Sequence, residues 1–270
     1  MKKRNRLEQT SNGVTGLKRG LLATGTKRRA KGMTIGAAIL CGLLGSSANL
    51  MAHDILSPVN PAVDPPFDII KASASTDGRW ASFMMELAGK SGSIIPEASG
   101  AFRGAEVYAY VWPTKIDPSG VGFAEGSGIL ALAITAHPDF DDTPLHDENG
   151  DGDPANDGKN WHAHWAVLAE DAACGAGFKV KEISPGQDLV PASMPDLPIA
   201  LDAPGQSPLL NDNSLHITLP VKGAEAAAFD AMTAKLMISQ EGSPGPLLCV
   251  TEAQDVASGD LSFPGIIMKK

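Results

Sequence analysis

FDIIKASASTDGRWASFMMELAG, residues 67–89, decides how the chain folds. Phe67–Ser75 is a strand-forming run. Thr76-Asp77-Gly78 then supplies turn chemistry, because Asp-Gly accepts the positive φ that a tight hairpin turn demands. Arg79–Ala88 follows with strict alternation. Trp80, Ser82, Met84 and Glu86 lie on one face, and Ala81, Phe83, Met85 and Leu87 on the other. A period of two is the mark of a strand with one face in a core. The stretch predicts an antiparallel hairpin and hence a β-protein.

Further strands are predicted outward from this hairpin. Ala105–Trp112 (AEVYAYVW) sets Val107, Ala109 and Val111 against Tyr108, Tyr110 and Trp112, and Gly128–Ala136 (GILALAITA) is apolar enough to be buried on both faces. Trp161–Ala169, Phe178–Ile183, Ile199–Asp202, Ser214–Val221, Leu247–Thr251 and Leu261–Phe263 complete the strand set. Ala224–Met237 reads as the one helix, being Ala-rich, free of Gly and Pro, and carrying Ala228, Met232 and Leu236 at helical spacing. Many short strands, Gly/Pro/Asp turns and one short helix predict an antiparallel β-sandwich with a long acidic loop, as a single domain over 53–270. The opening hairpin resembles that of DOMON-type and related carbohydrate-module sandwiches. That resemblance implies an exported β-domain of a kind that binds haem or sugars.

The N-terminus is of different character. Residues 1–32 hold ten Lys/Arg against one acid, and MTIGAAILCGLLGSSANLMA follows without a charge. A basic region, a short apolar region and small residues at its end describe a secretory signal over 1–52. Cleavage is expected after Ala48 or after Ala52, the second leaving His53 at the new N-terminus. Ile35–Leu44 falls short of the roughly 20 residues that span a bilayer, so no stable membrane span is expected after processing. The whole chain carries −9; beyond residue 52 there remain 12 Lys/Arg against 30 Asp/Glu. That surface argues against nucleic acid and anionic membranes as partners and favours cations. A secreted or periplasmic location makes Cys174 and Cys249 a disulfide pair.

Much of the acidity is concentrated in DENGDGDPANDGKNWHAHW, residues 147–165. Asp147-x-Asn149-x-Asp151-Gly152-Asp153 matches the opening of a calcium loop, in which alternate oxygens converge on a hard ion and Gly permits the sharp turn. The twelfth position is Gly158, not a bidentate Glu, so the segment resembles EF-hand-like and thrombospondin-type loops rather than a full EF-hand. Asp157 and Asn156 are available to replace the missing ligand. The predicted Ca²⁺ set is Asp147, Asn149, Asp151, Asp153 and Asp157.

Immediately after it, a strand over NWHAHW puts Trp161, Ala163, Trp165 and Val167 on an apolar face and His162 and His164 on the other. The two imidazoles leave the backbone roughly 6–7 Å apart, a spacing that suits two ligands of one transition metal. Cu²⁺ or Zn²⁺ is the expected ion. The bland alternative is a pair of exposed polar residues on a half-buried strand. A third ligand is sought in His137, which sits at the end of the Gly128–Ala136 strand in HPDFDD, in His146, or in His53. As an N-terminal residue His53 would chelate through amine and imidazole, as in histidine-brace copper proteins. The pattern resembles surface copper-binding proteins of methane-oxidising bacteria, which are exported, β-rich and place Trp near His.

The expected function is that of an exported metal-binding protein. Two other classes compete. A metal-dependent enzyme would use Asp139, Asp141 or Asp142 as a base beside the metal water, or a copper-oxidase chemistry at His53, but no hydrolase signature is present. A carbohydrate or surface-binding module would expose Tyr108, Tyr110 and Trp112 as a stacking platform.

Overall fold

In the computed structural model, which describes residues 54–143, 145–183 and 198–270, the segment 67–89 forms the expected hairpin. Asp77 makes the turn: its Oδ1 accepts from the backbone N–H of Arg79 and Trp80, and Gly78 takes a φ of +92°. The basic and apolar N-terminal segment, both cleavage sites and His53 lie outside the described residues.

The described strands, in chain order, are β1 (Ile55–Leu56), β2 (Ile69–Thr76), β3 (Trp80–Leu87), β4 (Glu106–Pro113), β5 (Ile129–Ala136), β6 (His162–Glu170), β7 (Phe178–Val180) and β8 (Leu201–Asp202). They continue with β9 (Leu209–Asn211), β10 (Ser214–Pro220), β11 (Ala228–Phe229), β12 (Met232–Ile238), β13 (Leu248–Val256), β14 (Gly265–Ile266) and β15 (Met268–Lys269). Mainly antiparallel β-structure is therefore as expected. The sandwich is not: one sheet closes on itself.

Six strands pair in the ring β5–β4–β12–β13–β7–β6, and β6 returns to β5. Closure needs a stagger along the strands, and the register has one. Cys249 lies level with Met237 near the end of β12 on one side, and through Lys179 with Ala169 near the end of β6 on the other. A second sheet, β1–β2–β3–β10–β9 with β15 parallel to β2, supplies the other apolar face. Its Ala81, Phe83, Met85 and Leu87 pack in one core with Leu130, Leu132 and Ile134 of β5 and Trp165 of β6.

Each barrel strand thus has two buried faces of different kind. On β4, Val107, Ala109 and Val111 point into the barrel, while Tyr110 and Trp112 enter the core between barrel and sheet. This corrects the stacking platform: Tyr110 and Trp112 have no solvent exposure. The Tyr110 hydroxyl donates to the Pro66 carbonyl and accepts from the Gly92 N–H, and burial pushes it up to about 12.

The predicted helix over Ala224–Met237 is also corrected. The segment contains β11 and β12, and β12 pairs with β4 on one side and β13 on the other. Met232, Ala234, Leu236 and Ile238 line the barrel, while Thr233 donates to the Phe67 carbonyl from the opposite face. A spacing of four is shared by both periods: positions 232 and 236 share one face of a helix and one face of a strand. Helix propensity differs by only tenths of a kcal/mol among ordinary residues, so two flanking ladders decide. Likewise Leu261–Phe263 is not a strand. Leu261 and Phe263 have φ of 55° and 59°, and β14 and β15 follow instead.

The disulfide forms as expected: Cys174 and Cys249 are bonded with Cα atoms 5.2 Å apart. It ties the turn after β6 to the start of β13. No helix among the described residues is long and apolar enough to cross a membrane.

Candidate metal centre

The face of β6 that carries His162 and His164 turns into the barrel, where Ala166 and Leu168 continue it. The two rings are therefore buried, at 2% and 1% side-chain exposure, not solvent-facing. The other face behaves as expected: Ala163, Trp165 and Val167 enter the core against the second sheet. Trp161 rests on Tyr110 with ring centroids 4.7 Å apart.

His137 comes from the neighbouring strand. It follows β5 directly, and β5 pairs with β6 so that Thr135 faces His162 and Ala133 faces His164. Its backbone N–H donates to the Gly158 carbonyl, which closes the acidic loop back onto the barrel end. From the same loop Asp142 reaches inward. One oxygen, Asp142 Oδ1, lies 3.2 Å from His137 Nε2, 3.1 Å from His162 Nε2 and 3.3 Å from His164 Nε2. The Nε2 atoms of His137 and His162 are 3.0 Å apart. All four ligand atoms fall within 4.8 Å of one another. A tetrahedral ion with bonds of about 2.0–2.1 Å holds its donors roughly 3.3 Å apart, so the spacing fits a single ion.

The outer nitrogens strengthen that fit. His137 Nδ1 donates to the Phe140 carbonyl at 2.9 Å, and His162 Nδ1 donates to the Asn160 carbonyl at 2.7 Å. A ring that gives its Nδ1 proton to a carbonyl keeps a lone pair on Nε2, which is how metal-bound histidines are oriented. Phe140 also stacks on His137 with centroids 4.0 Å apart. His164 differs: its Nε2 meets Asp142 Oδ1 at 3.3 Å, but its Nδ1 has no hydrogen-bond partner among the described residues.

Electrostatics couples the group. Burial resists charge on Asp142, yet the imidazoles of His164 and His137 outweigh it and hold the carboxyl well below its usual range. Burial likewise resists charge on His162, but the bond to Asp142 outweighs it and the imidazole is raised. For His164 burial outweighs the Asp142 carboxylate and the ring is held low.

Three of the four predicted transition-metal ligands meet here: His137, His162 and His164. The fourth, His53, lies outside the described residues. Asp142, expected only as a possible base, is the added member. No spacing rule marks it, because it hangs on a loop and arrives by the fold-back at Gly158. Asp139 and Asp141 do other work. Asp139 accepts from the N–H groups of Ser99 and Gly100, and Asp141 accepts from those of Thr143 and Asp157. His146 lines a separate polar cavity of about 100 Å³ with Thr143, Glu148 and Gln206, next to His162.

The predicted calcium residues divide. Asp147 Oδ1 accepts from the N–H of Gly150 and Asp151, and its Oδ2 from that of Gly152. Asp151 and Asp153 accept from backbone N–H groups two residues on, and Asn149 and Asn156 both donate to Asp151. Asp157 is apart from these, fully buried, accepting from the Glu148 N–H and the Asn160 side chain. Gly158 has no room for a ligand side chain at the twelfth position: a Cβ there would sit 1.8 Å from the Phe140 carbonyl oxygen.

No protein-family model matches the chain, and no curated protein or solved structure matches it.

Proposed function

We propose that this is an exported metal-binding protein whose His137, His162, His164 and Asp142 hold one zinc or copper ion at the end of the barrel. The observation that carries this reading is the convergence of three Nε2 atoms on one carboxylate oxygen. The set contains nitrogen and oxygen but no thiolate, which suits a borderline divalent ion such as zinc or copper(II). Export is supported by the disulfide, which persists in oxidising compartments. Elemental analysis of the purified protein tests the site. One zinc or copper per chain is expected, and His162→Ala combined with His164→Ala removes it. Unchanged metal content in that double variant would end the proposal.

Calcium belongs to the same reading, at Asp147, Asn149, Asp151 and Asp153. The alternation of oxygens around Gly152 and the backbone donors gathered by Asp147 support it. Asp157 then acts as the anchor of the loop against Glu148 and Asn160. Extracellular calcium keeps even a weak site of this type filled. Calorimetric titration should give one calcium per chain, lost in Asp147→Ala/Asp151→Ala while the transition metal stays. Calcium binding that survives this double change places the ion elsewhere.

A further inference from the structure

Barrel interiors this narrow are ordinarily filled by side chains, and protein cores have few voids larger than a water molecule. Here a cavity of about 240 Å³ runs inside the barrel. Its cause is legible in the residues. Ala109, Ala131, Ala133, Ala166 and Ala234 occupy interior positions on four different strands, where Leu or Ile would close the space. Apart from a few groups at one end the lining is apolar, and those groups are Thr135, His137, Asp141, Asp142 and His164. The cavity therefore terminates on the metal centre. His164, whose Nδ1 has no hydrogen-bond partner among the described residues, lines it there. At the same end Phe102, 39% exposed, meets Phe140 edge to face with centroids 5.1 Å apart, and both line the cavity.

We infer that the barrel binds a small apolar molecule with one anionic oxygen head, a medium-chain carboxylate being the simplest case, its tail among the alanines and its head at the metal. The tail follows from size and lining. A dry apolar cavity of about 150 Å³ accepts benzene, so this one accommodates roughly ten heavy atoms. The head follows from charge. Three neutral imidazoles, the Asp142 carboxylate and a divalent ion leave one positive charge in a poorly solvated interior, which calls for one anion. Asp141, at the same end, is held by the N–H groups of Thr143 and Asp157, and the head oxygen enters as a fifth ligand of the ion. Only the head rests on the metal reading; the tail chamber stands on the cavity itself.

Octanoate, with ten heavy atoms, is the probe. Zinc-loaded protein titrated calorimetrically should bind one octanoate per chain. Affinity should rise from hexanoate to octanoate and fall again at longer chains once the chamber is full. Ala234→Leu should weaken octanoate at least about tenfold, as filling a preformed pocket does, with zinc still bound at one per chain. Should that variant not fold, the chain-length series decides alone. Protein that holds one zinc but no octanoate, or that binds every chain length alike, overturns the inference and leaves the metal reading standing. If no zinc is held, the metal reading fails, and octanol titrated into metal-free protein decides the chamber: saturable binding supports it, and none overturns it.

Discussion

Gly158 shows how much of the centre depends on one missing side chain. Its carbonyl takes the His137 N–H, and a Cβ would press on the Phe140 carbonyl oxygen at 1.8 Å and on the His137 carbonyl oxygen at 2.6 Å. Those atoms are backbone and cannot swing aside. Both belong to residues that set the His137 ring, Phe140 by accepting its Nδ1 proton. Gly158→Ala should therefore cost about 1–3 kcal/mol of stability, the usual range for overpacking. It should also weaken metal binding at least about tenfold by displacing His137, the scale on which a misplaced ligand support acts. Denaturant titration and chelator competition measure the two effects. Normal metal affinity in a folded Gly158→Ala protein would mean that His137 is not a ligand. From the sequence Gly158 was visible only as a departure from a calcium-loop pattern. Its packing role depends on His137 and Phe140, some twenty residues earlier, and no local pattern joins them.

At the scale of elements, the strands with alternating faces were legible and the alanine-rich segment was not. β3 buries Ala81, Phe83, Met85 and Leu87, as its period of two requires. β12 carries residues whose spacing fits either period, so its partners determine its form. Lys235 sits at its centre, paired with Tyr108 on one side and Glu252 on the other. A proline there removes a donor from a strand that is not an edge and clashes with its neighbour. Lys235→Pro should cost about 3 kcal/mol or more and loosen the barrel. The same substitution in an exposed turn would do little. Circular dichroism with thermal melting distinguishes the outcomes. A variant that melts like the parent would contradict a strand hydrogen-bonded on both sides. The His-x-His strand was legible as a strand with two imidazoles on one face. What the element could not declare was that this face turns into a barrel and not to solvent.

Over the whole molecule, closure and the disulfide act together. β7 is only three residues long, yet it is the stave that joins β6 to β13. Cys174–Cys249 spans the same join, the two cysteines being 75 positions apart in sequence. Cross-linking a loop of that size restricts the unfolded chain by on the order of 4 kcal/mol in the chain-entropy account. In a domain of this length each kcal/mol moves the melting temperature by about 2–4 °C. Reduction, or Cys174→Ser with Cys249→Ser, should lower the melting temperature by roughly 10 °C. A calorimetric scan with and without reductant checks it, and no shift would mean the six-strand ring is held by its hydrogen bonds alone.

The sequence by itself determined the antiparallel β-class, the hairpin of residues 67–89 with its Asp77-Gly78 turn, the cysteine pair, and three of the four side chains at the centre. Each of these rests on a local cause: a period of two, a turn needing positive φ, or a residue type with one common use. Only the tertiary structure decided that one sheet closes, that Ala224–Met237 contains strands, that Asp142 joins the histidines, and that alanines on four strands leave a chamber behind them. These depend on which strands become neighbours. Neighbours are fixed by the burial of the whole chain at once, and no short stretch of residues encodes that sum.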